Sequence, residues 1–171
     1  MIKKILLGLA TVFVIIQFFH PKKNDSNDIT YDISKKYNVP ADVQAILKVA
    51  CNDCHSNKTE YPWYANIQPV AWWMNDHVDE GKRELNFSTF LSRKLAIQNH
   101  KLEEIAEQVE KGEMPLASYT YLGMNPKAKL TNDQKMTLIN WAKAQMDTLK
   151  ANYPADSLIL KRPPGLPPPA K

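Results

Sequence analysis

The chain has 171 residues, which is enough for one domain with a hydrophobic core. Its 22 Lys and Arg residues exceed its 18 Asp and Glu residues by four, and the whole excess comes from the N-terminal lysines Lys3, Lys4, Lys22 and Lys23. The rest of the chain is neutral and carries no basic stripe. This charge distribution argues against a nucleic-acid-binding protein, and we expect no nucleic-acid partner.

Residues 1–21 predict an export signal that remains as a membrane anchor. An apolar run from Ile5 to Phe19 lies between two pairs of lysines, which is the pattern of an export signal. No small-residue cleavage site follows the run, so an uncleaved transmembrane anchor is favoured over a cleaved signal peptide. Counted from Ile2, the apolar stretch is close to the shortest span of about 17 residues that crosses a bilayer.

The remainder of the chain divides into three parts. Residues 22–38 are rich in Asn, Asp and Lys and predict a polar tether. Residues 39–151 form the predicted domain. Residues 152–171 predict an extended tail, because they contain six prolines, which cannot continue a helix.

The predicted domain is all-α. Its apolar residues recur at helical spacing, and no convincing strand alternation is present. A capping box of Thr131 and Gln134 marks the start of the last helix. The four predicted helices run from Pro40 to Cys51, from about Pro69 to Gly81 or Asn86, from about Leu95 to Gly112, and from Thr131 to about Leu149.

The segment CNDCH contains both cysteines of the chain. It fits C-x-x-C-H, the pattern for covalent attachment of haem. On a helical turn Cys51 and Cys54 project from one face, so both sulfurs can reach the two vinyl groups on one edge of the porphyrin. His55 can then bring its imidazole to the iron as the proximal ligand.

Three other uses of these residues are weighed against haem. A structural zinc site would need further ligands from His20, His77 and His100, which are scattered along the chain. A redox dithiol belongs near a βαβ pattern, which is absent. A local disulfide between Cys51 and Cys54 is sterically possible in an exported protein. Covalent haem is the favoured interpretation.

The sixth iron ligand is predicted to be Met114. It lies just beyond the helix end at Gly112, and Pro115 pushes it toward an extended conformation, so its sulfur can point across a cavity. His77 is the main alternative distal ligand. Met124 and an open or water-filled position are further alternatives.

Aromatic residues flank both ligand motifs and predict the walls of a haem pocket. We expect these walls to come from Trp63, Tyr64, Trp73 and Tyr119, with Trp72 and Tyr121 beside them. Lys82 and Arg83 are candidate partners of the haem propionates.

The sequence resembles the bacterial haem-binding domain proteins, which are small membrane-anchored relatives of monohaem cytochromes c. The resemblance rests on CNDCHSNKTEYPWY, PVAWWMNDHVDEGKRELNFS, EKGEMP and LTNDQKMTLINWA, and it covers roughly residues 40–150. It implies one haem c on Cys51 and Cys54, with His55 proximal and Met114 distal. Leu116 departs from the pattern, since in many relatives a second proline follows the Met-Pro pair.

Together these features predict a small cytochrome c-like helical domain around one covalent haem, preceded by a transmembrane anchor. We expect a single-pass protein of the cytoplasmic membrane whose domain lies on the periplasmic side, where haem attachment takes place in bacteria. It would pass single electrons between redox protein partners and would be a carrier rather than an enzyme. The alternative is a haem-based sensor or peroxidase-like enzyme with a displaceable distal ligand, in which His77 would act as the acid-base residue.

Overall fold

The computed structural model describes residues 1–120 and 125–160, and within them it contains helices and no strand. An all-α fold is therefore confirmed for this part of the chain. Four short 3-10 turns connect the α-helices, at Ile33–Lys35, Trp63–Asn66, Phe87–Ser92 and Pro126–Ala128. The α-helices are α1 (Ile2–Ile16), α2 (Ala41–Ala50), α3 (Asn52–His55), α4 (Val70–Glu84), α5 (Leu95–Lys111), α6 (Ala117–Thr120), α7 (Asn132–Asn152) and α8 (Ala155–Leu158).

The four predicted helices correspond to α2, α4, α5 and α7. The capping box of α7 is present, since the Thr131 hydroxyl accepts a bond from the Gln134 amide (3.2 Å) and the Gln134 side chain accepts one from the Thr131 amide (2.9 Å). Helix α4 continues through Gly81 and ends at Glu84, between the two predicted ends at Gly81 and Asn86. Gly81 does not end the helix but allows it to pack closely against Cys54.

The hydrophobic core lies where α5 and α7 pack along each other, with α2 against α7. Leu102 of α5 and Leu138 of α7 are completely buried. Trp141 is also buried, and its indole N–H donates to the carbonyl of Asn38 (2.8 Å), so the polar atom of this core residue is satisfied.

Residues 22–38, predicted to be a tether, pack against the helical domain. Ile33 and Tyr37 are members of the core, and the Tyr37 hydroxyl donates to the side chain of Gln98 (2.7 Å). Asn24 is held by Ser56 and other polar groups that follow α3. Ile33 and Tyr37 are isolated apolar residues in a polar segment, so its composition did not reveal them, yet they attach the segment to the core.

Helix α1 has 15 residues, none of them buried. Among the described residues, no helix has both the length and the apolar character needed to cross a membrane. The predicted transmembrane anchor is therefore not supported by the helices seen here.

The predicted tail begins later than expected. Helix α7 runs on to Asn152, and α8 follows Pro154 and buries Leu158 against the core. The prolines from Pro163 onward lie outside the described residues.

Ile33→Ala tests whether residues 22–38 are part of the folded domain. The Ile33 side chain is 3% exposed, so its truncation should lower the free energy of unfolding by about 2–4 kcal/mol through lost burial and the cavity left behind. Ile29→Ala is the matched control, because Ile29 is 58% exposed and should change stability by no more than about 0.5 kcal/mol. Denaturant unfolding measures both, and equal effects would mean that the segment is not anchored.

Candidate functional site

His55 is held in one orientation by two backbone carbonyls. Its Nδ1 lies 2.9 Å from the carbonyl oxygen of Gly81 and 3.0 Å from that of Leu85. Both partners are acceptors, so Nδ1 carries the hydrogen and Nε2 keeps its lone pair. The ring thus has the tautomer of a metal-binding histidine whose second nitrogen is anchored to the backbone.

The surroundings of His55 also favour the neutral ring. Burial lowers the pKa of His55, the two carbonyl bonds oppose this by raising it, and the nearby Lys101 lowers it further. A neutral imidazole is the form that binds a metal.

The carbonyl of Gly81 can reach His55 because α3 and α4 approach each other closely. A Cβ atom at position 81 would lie 2.6 Å from the carbonyl oxygen of Cys54 and 3.0 Å from its Cβ. No side chain fits at that separation, so glycine is the residue that permits the contact. Leu85, whose carbonyl is the second acceptor, follows directly at the end of α4.

Cys51 and Cys54 lie on the helical turn that the motif predicts. The carbonyl of Cys51 accepts bonds from the amides of Cys54 (3.2 Å) and His55 (2.9 Å). The two thiols are free and half-buried. Burial raises the pKa of Cys51 to about 12, and burial together with the Asp53 carboxylate raises the pKa of Cys54 to about 11. Such thiols stay protonated at neutral pH, which argues against a reactive redox dithiol.

In the described part of the chain, three cavities are lined by Cys51, Cys54 or His55. The central cavity, about 230 Å³, is lined among others by Cys51, Cys54, His55, His77, Met114 and Tyr119. The His55 cavity, about 280 Å³, includes Cys51, His55, Glu84, Lys101, Met114 and Leu138. The Tyr64 cavity, about 390 Å³, includes Cys54, Tyr64, Trp73, His77, Tyr119 and Asn125. The central cavity shares lining residues with each of the other two, so the three form a continuous row that offers the space of a cofactor pocket.

Met114 is positioned by the end of α5. Gly112 adopts the left-handed conformation (φ 73°), and the amide of Glu113 donates to the carbonyl of Gln108 (2.9 Å), as in a Schellman motif. The amide of Met114 donates to the same carbonyl (3.2 Å), and the Met114–Pro115 peptide is cis. The Met114 side chain lines both the central and the His55 cavities, as His55 itself does.

His77 has a different placement. Its Nδ1 lies 2.9 Å from the carbonyl oxygen of Trp73, and the centroids of the His77 and Trp73 rings are 4.4 Å apart. His77 lines the central and Tyr64 cavities. It therefore shares one cavity with His55, whereas Met114 shares two.

Tyr119 connects the CNDCH turn to the segment that follows Met114. Its hydroxyl donates to Asp53 Oδ2 (2.5 Å) and accepts from the side-chain amide of Asn125 (2.6 Å). The other Asp53 oxygen accepts from the amide of Glu60 (2.8 Å). Burial and the Asp53 carboxylate raise the pKa of Tyr119, so it remains a neutral donor. Asp53 was missed in the sequence, where it is only a variable position of the motif.

The other predicted pocket residues are distributed unevenly. Tyr64 and Trp73 line the Tyr64 cavity, but Trp63 is 76% exposed and lines none of the three. Tyr121 and Met124 lie outside the described residues.

The predicted propionate partners also lie away from the cavities. The ammonium group of Lys82 donates to Asn24 Oδ1 (2.6 Å), and Arg83 lines none of the three cavities. The cation that does line the His55 cavity is Lys101, which pairs with Glu104 (2.6 Å). Its position on the polar side of α5 gave no sequence signal for this role.

The zinc alternative finds no ligand set. In residues 1–120 and 125–160, no three or more His, Cys, Asp or Glu side chains are grouped so that they could hold a metal ion. His20 contacts the carbonyl of Asn66 (3.1 Å), and His100 pairs with Glu103 and Glu104 on the surface of α5.

Comparison with known families identifies the family of the chain. The description of the matching family is "haem-binding domain", and the match covers residues 11–144. The chain belongs to the haem-binding domain family. The family resemblance inferred from the motifs is thus confirmed, and the match extends further toward the N-terminus than those motifs, into α1. Neither the comparison with curated proteins nor that with solved structures found a match.

The residues around the cavities of this haem-binding domain fit a haem. An imidazole with an available Nε2 and a thioether line the same space beside two cysteines. The remaining lining is largely apolar and aromatic, as a porphyrin requires.

Gly81→Ala tests the contact between α3 and α4. The added Cβ would meet Cys54 at 2.6 Å, so the helices must move apart, and we expect a loss of about 1–3 kcal/mol in the free energy of unfolding. The anchoring of His55 should loosen as well, which absorption spectra of the haem-loaded protein would detect as a change in the ligand-sensitive bands.

Gly8→Ala is the matched control, since Gly8 is also helical and a Cβ at that position would meet nothing within 4 Å. It should leave the spectrum unchanged and stabilise the helix by up to about 1 kcal/mol. If Gly81→Ala behaved like Gly8→Ala, the close contact would not matter for the site.

Proposed function

We propose that the protein is a monohaem c-type cytochrome in which Cys51 and Cys54 hold the haem covalently. His55 would bind the iron on one face and Met114 on the other. The observation that carries this proposal is that His55 and Met114 line the same two cavities, and that Cys51 lines both with them. The helical turn of the CNDCH motif supports covalent attachment, because it places Cys51 and Cys54 at i and i+3.

Electron transfer is the activity that this ligand set supports best. A haem bound between histidine and methionine supplies one-electron exchange between ferric and ferrous iron, at a potential that the thioether raises. The chain's own part is to fix both ligands. His55 is fixed through the carbonyls of Gly81 and Leu85, and Met114 through the terminus of α5. Its partners would be redox proteins that dock near the haem edge.

We place the protein at the cytoplasmic membrane, with the domain on the periplasmic side. The support is α1, whose residues are all unburied and which is apolar from Ile5 onward, with Lys3 and Lys4 before this run and Lys22 and Lys23 after it. An unburied helical stretch of apolar residues is suited to a lipid environment. Covalent haem attachment outside the cytoplasmic membrane agrees with this side.

A second candidate function is a haem-based sensor or peroxidase-like enzyme. The observation that favours it is His77, whose Nδ1 is engaged by the Trp73 carbonyl while the residue lines the central cavity beside His55. If Met114 were displaced from the iron, His77 would be the nearest imidazole available for acid-base work or for ligation.

Met114→Ala tests the distal ligand. The ferric wild-type protein should show the weak far-red charge-transfer band of sulfur bound to iron, and the variant should lose it while keeping its haem. Met136→Ala, on the exposed side of α7, should keep the band. If the band were absent from the wild type, or if it survived in Met114→Ala, Met114 would be excluded as the ligand.

The same proteins separate the two candidate functions. With Met114 bound, carbon monoxide should bind slowly to the ferrous wild type and rapidly to Met114→Ala. Rapid binding to the wild type would favour the sensor or enzyme instead.

Covalent attachment is tested by removing the cysteines. Acid-acetone extraction should leave haem on the wild-type chain and release it from the Cys51→Ala, Cys54→Ala double variant. Each single variant should retain one thioether bond, which mass spectrometry of the haem-bearing peptide would locate. Haem that stayed with the double variant through extraction would contradict the c-type assignment.

A further inference from the structure

The end of α1 is joined to the haem-binding domain by a fixed contact. The amide of Gln68 donates to the side-chain oxygen of Gln17 (2.9 Å), and the side-chain nitrogen of Gln17 donates to the carbonyl of Gln68 (3.2 Å). The Gln68 side chain is fully buried and donates to the carbonyl of Phe19 (2.6 Å). Three bonds between the two segments leave no free hinge at this point.

The chain remains in contact with the domain beyond this join. The ring of His20 contacts the carbonyl of Asn66 (3.1 Å), and the ammonium group of Lys23 donates to the side chain of Asn66 (2.7 Å). The next residue, Asn24, bonds to residues that follow α3. Helix α1 therefore has a defined direction relative to the domain.

Exposed apolar side chains surround the join. Trp63 is 76% exposed, and Phe18 and Phe19 are more than half exposed. Trp72 and Ile67 are exposed to a lesser degree. We call these five residues the aromatic patch. Their backbones lie close together, since Gln68, next to Ile67, bonds to Phe19 and Trp72, and Asn66 bonds to Trp63. Exposed apolar residues gathered in one region mark a contact site for a membrane or another molecule.

The dimensions of α1 indicate what covers the patch. Its 15 residues are about 22 Å long at 1.5 Å per residue, whereas the hydrocarbon core of a bilayer is about 30 Å thick. An apolar helix shorter than the hydrocarbon core lies wholly inside that core only if the residues after its C-terminal end also enter the membrane surface. Because the join is rigid, the aromatic patch must be drawn down with it.

The chemistry of the patch matches a membrane interface. Tryptophan is enriched at the level of the lipid headgroups, where its ring is buried and its N–H stays hydrated. Lys22 is exposed, lies shortly after Phe18 and Phe19, and is one of the four lysines that make the chain basic. It is placed to meet the phosphates of anionic lipids.

We propose that the aromatic patch is a lipid-docking surface, which rests in the interface of an anionic phospholipid bilayer and holds the haem-binding domain against it in one orientation. The proposal rests on the membrane attachment proposed above and goes beyond it. In this arrangement the domain lies on the membrane instead of being held away from it by a flexible tether. Trp63 of the patch contacts the ring of Tyr64, and Tyr64 lines one of the three cavities.

The experiment uses the full haem-loaded chain in vesicles of phosphatidylcholine and phosphatidylglycerol. A single reactive thiol is introduced as Trp63→Cys, or as Trp72→Cys in a second protein, and as Lys143→Cys on the exposed face of α7 for control. A membrane-impermeant maleimide is added, and mass spectrometry measures the labelling rate at each position. Labelling at position 143 also reports the fraction of protein on the outer face.

Docking predicts that positions 63 and 72 react at least about tenfold more slowly than position 143, since a desolvated thiol forms less thiolate. Adding Gln17→Ala, which removes two of the three bonds of the join, should speed labelling at position 63 while the protein stays with the vesicles. Equal rates at positions 63, 72 and 143 in vesicle-bound protein would overturn the docking surface. So would protection that arises only when a soluble redox protein is added. Failure to bind vesicles at all would instead overturn the membrane attachment itself.

Discussion

The approach of α3 to α4 at Gly81 is the contact on which the candidate haem site depends. A backbone-to-backbone contact this close places the carbonyls of Gly81 and Leu85 at the end of α4 within 3.0 Å of His55 Nδ1. That bond selects the tautomer and aims Nε2 away from α4. Since Cys54 is the residue against which Gly81 packs, the same contact positions the CNDCH turn and the His55 ring together.

The two residues proposed as iron ligands are fixed by different physical means. His55 belongs to a single helical turn of four residues, which is too short to be stable alone and takes its orientation from α4. Met114 follows the C-terminus of the long helix α5. The carbonyl of Gln108 in that helix accepts bonds from the amides of Glu113 and Met114, and these bonds hold the backbone that carries the Met114 side chain. Tyr119 then links the two halves through Asp53, so that the attachment turn and the segment after Met114 are connected by side chains as well as by the cavity between them.

Local sequence signals predicted those parts that depend on local interactions. The helices α2, α4, α5 and α7, the capping box at Thr131 and the end of α5 at Gly112 follow from periodicity and terminus chemistry. The roles of Gly81, Asp53 and Lys101 could not be predicted, because each arises from a contact between segments far apart in sequence. Trp63 was expected in the pocket because of its closeness in sequence to the motif, but side chains on a 3-10 turn diverge, and Tyr64 faces the cavity while Trp63 faces outward.

The segment from Gln17 to Tyr37 shows how composition alone misleads about order. Its polar character is that of a flexible linker, yet its asparagines and glutamine act as specific hydrogen-bonding residues rather than as solvated chain. A buried glutamine such as Gln68 is costly unless its donors and acceptors are used, and here its partners are the end of α1 and the start of α4. Because this connection is rigid, the orientation of α1 sets the orientation of the domain. Any contact that fixes α1, in lipid or against a protein, therefore also fixes the direction in which the three cavities face.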